Sequence, residues 1–154
     1  RTMTSREKIG WLGRYGREKA RARLLAQEVE ALRAEAARAR EALGPGARTP
    51  QLEQAGAELE EARRRLDAQA ARCLSLRRQT VWAISRLDDE RQREVLLRRF
   101  VQGQSLQQVA DALGVVVRRV EQLQTAGLRM LQPAPATVRK SRAAARKRKE
   151  EESR

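Results

Sequence analysis

The segment from Gly103 to Leu131 constrains the fold of this chain most strongly, because its helix starts and stops are both visible. Ser105 and Gln108 have the spacing of a capping box, in which each side chain bonds the other residue's backbone amide. Gly114 stands where a helix would end in a left-handed residue, a conformation that glycine adopts at little cost. Apolar residues recur at helical spacing on both sides of it. The segment is therefore predicted to be two short helices joined by a tight turn, a helix-turn-helix.

The second of these helices is the one expected to contact a binding partner. In helix-turn-helix proteins it enters the major groove of DNA. Val120, Leu123 and Leu128 give it an apolar stripe, and the small side chain of Ala110 lets it cross close to the first helix. The pattern predicts a DNA-binding domain. Helix pairs of this kind also occur in proteins that do not bind DNA, so a purely structural role stays open.

Composition limits the fold class and the chemistry. Aromatic residues make up 3% of the 154 residues and charged residues 35%, which suits long helices with narrow apolar seams and predicts an all-α protein. One cysteine and no histidine leave no usual zinc site and favour a reducing cytoplasm. The sequence holds no catalytic constellation or phosphate loop, so we expect neither an enzyme nor a cofactor. No apolar run reaches the length of about 18 residues that suggests a membrane helix.

Residues 4–87 are predicted to form an N-terminal antiparallel coiled-coil hairpin. A helical pattern runs unbroken from near the N-terminus to about Leu43, and residues 44–46, Gly-Pro-Gly, end it. Thr49 and Pro50 restart a helix with an N-cap and a proline at the first helical position. Two long helices joined by so short a loop must fold back on each other.

Apolar and small residues in both arms alternate spacings of three and four, which is the heptad pattern of a coiled-coil seam. The symmetric register places Leu43 opposite Leu52. The seam residues are Ala22, Leu25, Val29, Leu32, Ala36, Ala39, Leu43, Leu52, Ala55, Leu59, Ala62, Leu66, Gln69, Cys73, Leu76, Thr80, Ala83 and Leu87. A buried, inert thiol is the expectation for the cysteine in this seam.

The net charge of +14 is not centred on the helix-turn-helix. The predicted helix-turn-helix domain, residues 88–132, lies in a stretch, 87–133, whose net charge is only +1, whereas residues 134–154 carry +5. Residues 133–154 are predicted to be a proline-containing linker and a basic tail, disordered or helical only on binding. Any general attraction to phosphate must therefore come largely from outside the motif.

Residues 87–131 resemble region four of bacterial sigma factors, the domain that recognises the upstream promoter element. The resemblance is carried by Leu87-Asp88, RQREVLLRRF, the turn Gly103-Gln104-Ser105, SLQQVADALGV and the segment RRVEQLQTAGLRML. The hairpin before this domain is similar to that of small phage-encoded regulators of late genes. The resemblance implies a sequence-specific double-stranded DNA-binding transcription regulator, with RNA polymerase or a second copy of the chain as alternative partners of the hairpin.

By position in the resembling segment, the residues that would face DNA are Val117, Arg118, Arg119, Glu121, Gln122 and Thr125. Among them Arg118 and Gln122 have the usual base-reading chemistry, arginine for guanine and glutamine for adenine. Seven cations of the tail would add phosphate contacts: Arg139, Lys140, Arg142, Arg146, Lys147, Arg148 and Lys149.

The chain departs from the family pattern at two positions of this helix. Val116 stands where the family places a serine or threonine N-cap, and the loss of such a cap costs about 1 kcal/mol. Glu121 stands where the family often has a basic DNA contact. We therefore expect a weakly capped helix in which few residues carry the specificity.

Other interpretations of the same features stay open. Trp11 and Trp82 are expected to be packing residues, with a nucleic-acid stacking platform as the alternative. The whole chain has two alternative functions. One is a structural interaction protein that works through its hairpin and whose helix-turn-helix does not bind DNA specifically. The other is a phage DNA-packaging subunit.

Overall fold

The computed structural model describes residues 2–133 and 147–153. Within these ranges the regular structure is helical and contains no strand, which confirms the all-α prediction. Residues 147–152 are helical as well. The six helices of the main segment are α1 (Ser5–Leu12), α2 (Arg14–Leu43), α3 (Pro50–Ser85), α4 (Glu90–Phe100), α5 (Leu106–Leu113) and α6 (Val117–Met130).

The chain divides into two compact units. Residues 1–12 and 79–154 form the first, which we call the helix-turn-helix unit, and residues 13–78 form the second, the hairpin unit. The division runs through the segment that the sequence pattern assigned to a single hairpin, because α1 and the last part of α3 belong with the C-terminal helices. None of the helices in the described part of the chain is long and apolar enough to cross a membrane.

The expectation of one unbroken helix up to Leu43 is wrong, because the helix is interrupted at Gly13. Gly10 and Gly16 flank this position, and glycine disfavours the helix interior by about 1 kcal/mol per residue relative to alanine. The first helix begins with the backbone N–H of Glu7 donating to Thr4 Oγ1 at 3.2 Å. The heptad pattern could not show the break, since it begins only at Ala22.

In the hairpin unit α2 and α3 run antiparallel. Gly44 and Gly46 take the positive φ angles of 85° and 77° that make the turn. Thr49 Oγ1 then accepts from the backbone N–H of Leu52 at 3.2 Å and caps α3 as predicted. The predicted seam positions from residue 22 to residue 76 are each half-buried or buried, except Leu43.

The register of the two arms differs from the symmetric expectation. That expectation places residue 77 opposite Glu18, but Gln69 Nε2 donates to the backbone oxygen of Glu18 at 2.9 Å. Leu43 is 50% exposed, so the seam of α2 ends before it. Residues 44–49, which join the two helices, therefore lie beside the last turn of α2. The two arms do not contribute equally to the end of the hairpin.

The helix-turn-helix unit has two apolar clusters. The first contains seven buried residues from four helices and from the segments that follow α3 and α6: Leu12, Ala83, Ile84, Leu87, Leu96, Leu128 and Leu131. Trp11 and Trp82 pack against it, in the packing role expected for them. The second cluster joins α4 to the two helices of the helix-turn-helix and consists of Val95, Val109, Ala110, Val120 and Leu123. Together they fix α6 against α1, α4 and α5.

Candidate nucleic-acid interface

The turn between α5 and α6 has the geometry that its sequence predicts. Both bonds of the capping box form, with Gln108 N–H donating to Ser105 Oγ at 3.1 Å and Ser105 N–H donating to Gln108 Oε1 at 2.8 Å. Gly114 is left-handed, with φ 66° and ψ 34°, and its N–H donates to the carbonyls of the last turn of α5. Since each helix end is fixed locally, the chain enters α6 in a defined direction.

Small residues let α6 lie close to the helices beneath it. Ala110 is 1% exposed, in agreement with the predicted close crossing of α5 and α6. Gly127 of α6 is also buried, and a Cβ added there would stand 3.2 Å from Leu96 Cδ1. A larger side chain at this position would push α6 away from α4. The absence of one keeps α6 packed closely on α4, and such packing supports a base-reading surface.

The side of α6 that faces away from the core is polar. Val120, Leu123, Gly127 and Leu128 are buried, whereas Glu121, Gln122 and Thr125 between them are exposed and face outward. Because a helix repeats every 3.6 residues, the outward residues share one face opposite the buried ones. The exposed residues on that face are Arg118, Glu121, Gln122, Thr125 and Arg129.

Val117 and Arg119 lie at the margins of the polar face of α6. Val117 is half-buried and packs against the second cluster, so only part of its side chain is available outside. Arg119 is exposed but lies about 100° around the helix from Arg118, at the edge of the polar face. Arg129 was missed by the sequence reasoning, although it follows Gln122 by seven residues. Its helical spacing from Gln122 was the signal that could have found it.

The start of α6 has no side-chain cap. Val116 is extended, with φ −78° and ψ 155°, and 71% exposed. Its backbone oxygen accepts from Arg119 N–H at 3.0 Å, so the helix still begins at Val117. The N–H groups of Val117 and Arg118 precede this bond and can meet an external acceptor such as a phosphate oxygen.

Arg99 ties α6 to the segment that precedes α5. Its Nε donates to Gln124 Oε1 at 3.2 Å, and its Nη1 donates to the backbone oxygen of Gln104 at 2.9 Å. One arginine of α4 thereby bonds both α6 and the residues that lead into α5. Gln104 Oε1 is buried without a hydrogen-bond partner. Sequence reasoning missed this bridge because it joins residues that are 25 positions apart.

Lys8 of α1 closes the other end of α6. Its Nζ donates to the backbone oxygen of Leu128 at 2.8 Å and to that of Arg129 at 3.3 Å. Only 8% of this lysine is exposed. The last carbonyls of a helix lack intrahelical partners and carry partial negative charge, so a cation there is favourable. Lys8 therefore positions the helix whose other end would meet DNA.

Residues 83–132 match the family model described as Sigma-70, region 4. They are a sigma region 4-like helix-turn-helix domain. This match covers about a third of the chain, and α1 and the hairpin unit lie outside it. No curated protein and no solved structure matches the chain. The region 4-like domain thus contains every residue of α6 that the sequence assigned to DNA.

The tail positions are only partly visible. Arg139, Lys140, Arg142 and Arg146 lie outside the described residues. Lys147, Arg148 and Lys149 are exposed on the terminal helical segment. Their part in binding stays a prediction.

Features elsewhere do not indicate a second chemistry. In residues 2–133 and 147–153 no group of three or more histidine, cysteine or acidic residues could hold a metal ion. The pKa of the Cys73 thiol is raised by burial and by the negative charge of Glu18. A raised pKa keeps the thiol protonated and unreactive near neutral pH.

Proposed function

We propose that this protein is a sequence-specific double-stranded DNA-binding transcription regulator that reads the major groove with α6. The observation that carries the proposal is the polar outer face of α6, which packs on three helices within a region 4-like domain. Exposed arginine, glutamine and threonine side chains on one helix face are suited to base edges and phosphates. The uncapped start of α6 offers further donors to the backbone.

Roles within this face follow from side-chain chemistry and position. Arg118 and Gln122 are four residues apart on the same face, so both reach one groove. Arginine pairs with guanine and glutamine with adenine, and each good bidentate contact discriminates by about 1–3 kcal/mol. Arg119, at the edge of the face, is suited to a phosphate. Glu121 lies among these residues and repels the DNA backbone.

Selection of bound sequences from random duplex DNA gives the preferred site, and two arginine variants then test the helix. Arg118→Ala should lower affinity for the preferred duplex more than for a scrambled one. Arg119→Ala removes the same charge one position away and should weaken both duplexes about equally. If neither variant changes binding to either duplex, α6 does not face DNA.

Glu121→Arg tests the same face in the opposite direction. It replaces a carboxylate with a cation and should raise affinity for both duplexes, because binding gains an attraction to phosphate. An unchanged affinity would place Glu121 away from the DNA. An increase in affinity would support the proposal, because misfolding of the variant would not raise its affinity for DNA.

The hairpin unit is proposed to be an arm for a protein partner, either RNA polymerase or a second copy of the chain. Leu24 and Leu74 are 66% and 57% exposed on its two helices, and exposed apolar side chains are suited to such contacts. The combination of this arm with a region 4-like domain supports a place among phage-type regulators of late genes. Sedimentation at high concentration, with and without polymerase, separates the two partners.

A further inference from the structure

Charge is divided unevenly along the hairpin unit. Residues 13–25 and 65–78 together contain nine Lys or Arg and two carboxylates, a net charge of +7. Residues 26–64 contain six Lys or Arg and eight carboxylates, a net charge of −2. The two basic segments lie side by side, because Gln69 of α3 donates to Glu18 of α2. The unit therefore has one strongly basic end and one weakly acidic end.

Arginines from both helices meet on one face of the basic end. Arg21 Nη1 lies 3.8 Å and Arg72 Nε 3.5 Å from the carboxylate of Glu18. Arg17 and Arg14 precede Arg21 by four and seven residues, which places them on the same face of α2. The side chains of Arg21 and Arg72 are more than three-fifths exposed, whereas that of Glu18 is 17% exposed. We call these four arginines the arginine face.

We propose that the arginine face binds the phosphate backbone of duplex DNA, as a contact additional to that of α6. Guanidinium groups pair with phosphate oxygens in two-pronged geometry. The face contains four of them and one recessed carboxylate, which Arg21 and Arg72 approach, so its net charge is positive. Contacts to phosphate carry no sequence information, so this face adds affinity and register without altering the preferred site.

The proposal rests on the proposed function, since α6 is what brings duplex DNA to the chain. A second weak contact in the same molecule acts at high effective concentration and so strengthens binding without high intrinsic affinity. Charge supports the same assignment, because the stretch that contains α6 is nearly neutral, at +1 for residues 87–133. Duplex DNA, a dense line of negative charge, is the partner that best matches a concentrated arginine face.

The test variant neutralises three members of the face at once: Arg17→Gln, Arg21→Gln and Arg72→Gln. Binding of the full chain to a labelled duplex containing the selected site is measured over a range of KCl concentrations. Each phosphate contact that is lost lowers the slope of log affinity against log salt by about 0.9. The slope should therefore fall by about two to three, with the same fall on a scrambled duplex.

A matched variant removes the same charge from the rest of the hairpin unit: Arg38→Gln, Arg40→Gln and Arg48→Gln. All three residues are exposed. Its slope should fall by less than one, because these residues do not touch DNA. Equal falls in the two variants would show an effect of net charge alone and would overturn the proposal.

Glu18→Gln removes the carboxylate within the face while keeping an oxygen that accepts from Gln69. It should tighten binding to both duplexes, and a loss of affinity would count against the proposal. If the arginine-face variant binds DNA as the wild type does while Arg118→Ala does not, the face has another partner, such as an acidic protein, and the proposed function stands. If the wild type binds no duplex, the proposed function itself fails.

Discussion

At the scale of single residues, the structure assigns the clearest role to Lys8, which lies outside the helix-turn-helix. Lys8 is almost fully buried and bonds two carbonyls at the C-terminal end of α6. Burial of an amino group or of a carbonyl without a hydrogen-bond partner costs free energy. The two hydrogen bonds from Lys8 therefore link α1 to α6, the helix proposed to read DNA.

Lys8→Met should destabilise the helix-turn-helix unit by about 1–3 kcal/mol, because it leaves the carbonyls of α6 without their donor. Both tryptophans of the chain pack in this unit, so their fluorescence reports its unfolding in urea. Arg6→Met, which removes an exposed cation two residues away, is the control and should change stability little. Equal midpoints for the two variants would show that the lysine contributes no net stabilisation.

At the scale of helices, the features that local chemistry determines could be predicted from the sequence. The caps at Ser105 and Thr49, the left-handed Gly114 and the antiparallel return of the hairpin all follow from residues a few positions apart. The interruption at Gly13 and the register of the hairpin do not. They depend on contacts between distant segments, such as that of Gln69 with Glu18, which spacing along one helix cannot encode.

At the same scale, Glu18 should make the stability of the hairpin depend measurably on pH. The hydrogen bond from Gln69 lowers the pKa of its carboxyl, burial raises it, and the nearby positive charges of Arg72 and Arg21 lower it further, so that the result lies below the usual 4.5. A group whose pKa is lower in the folded state stabilises the fold above its unfolded-state pKa. That stabilisation is lost as the pH falls through the folded-state pKa.

Glu18→Gln should therefore reduce the thermal stability of the hairpin near neutral pH and leave the melting temperature less sensitive to acid. Circular dichroism of the full chain, from neutral pH down to below the usual pKa of glutamate, measures both effects. Glu28→Gln, at an exposed position further along α2, is the matched control. Parallel pH profiles for the wild type and Glu18→Gln would contradict the assignment.

At the scale of the whole molecule, the residues suited to base-specific contacts and the residues whose charge would attract DNA lie in different parts of the chain. The outer face of α6 could be predicted from sequence because helical spacing alone sorts Arg118 and Gln122 from the core. The residues that hold this face in place, Arg99 and Lys8, could not, because each bonds a segment distant in sequence. The positive charge that would attract DNA lies mainly outside residues 87–133.

The tail is the largest remaining source of that charge, with seven cations between Arg139 and Lys149. Deleting residues 138–149 should weaken binding to preferred and scrambled duplexes about equally. It should also flatten the salt dependence of the affinity, because a protein with fewer phosphate contacts releases fewer counterions on binding. A chain of equal length with these seven cations replaced by glutamine should behave like the deletion, since charge and not length is responsible. Selection from random duplex DNA completes the test, and a changed preferred sequence after deletion would show that the tail reads bases.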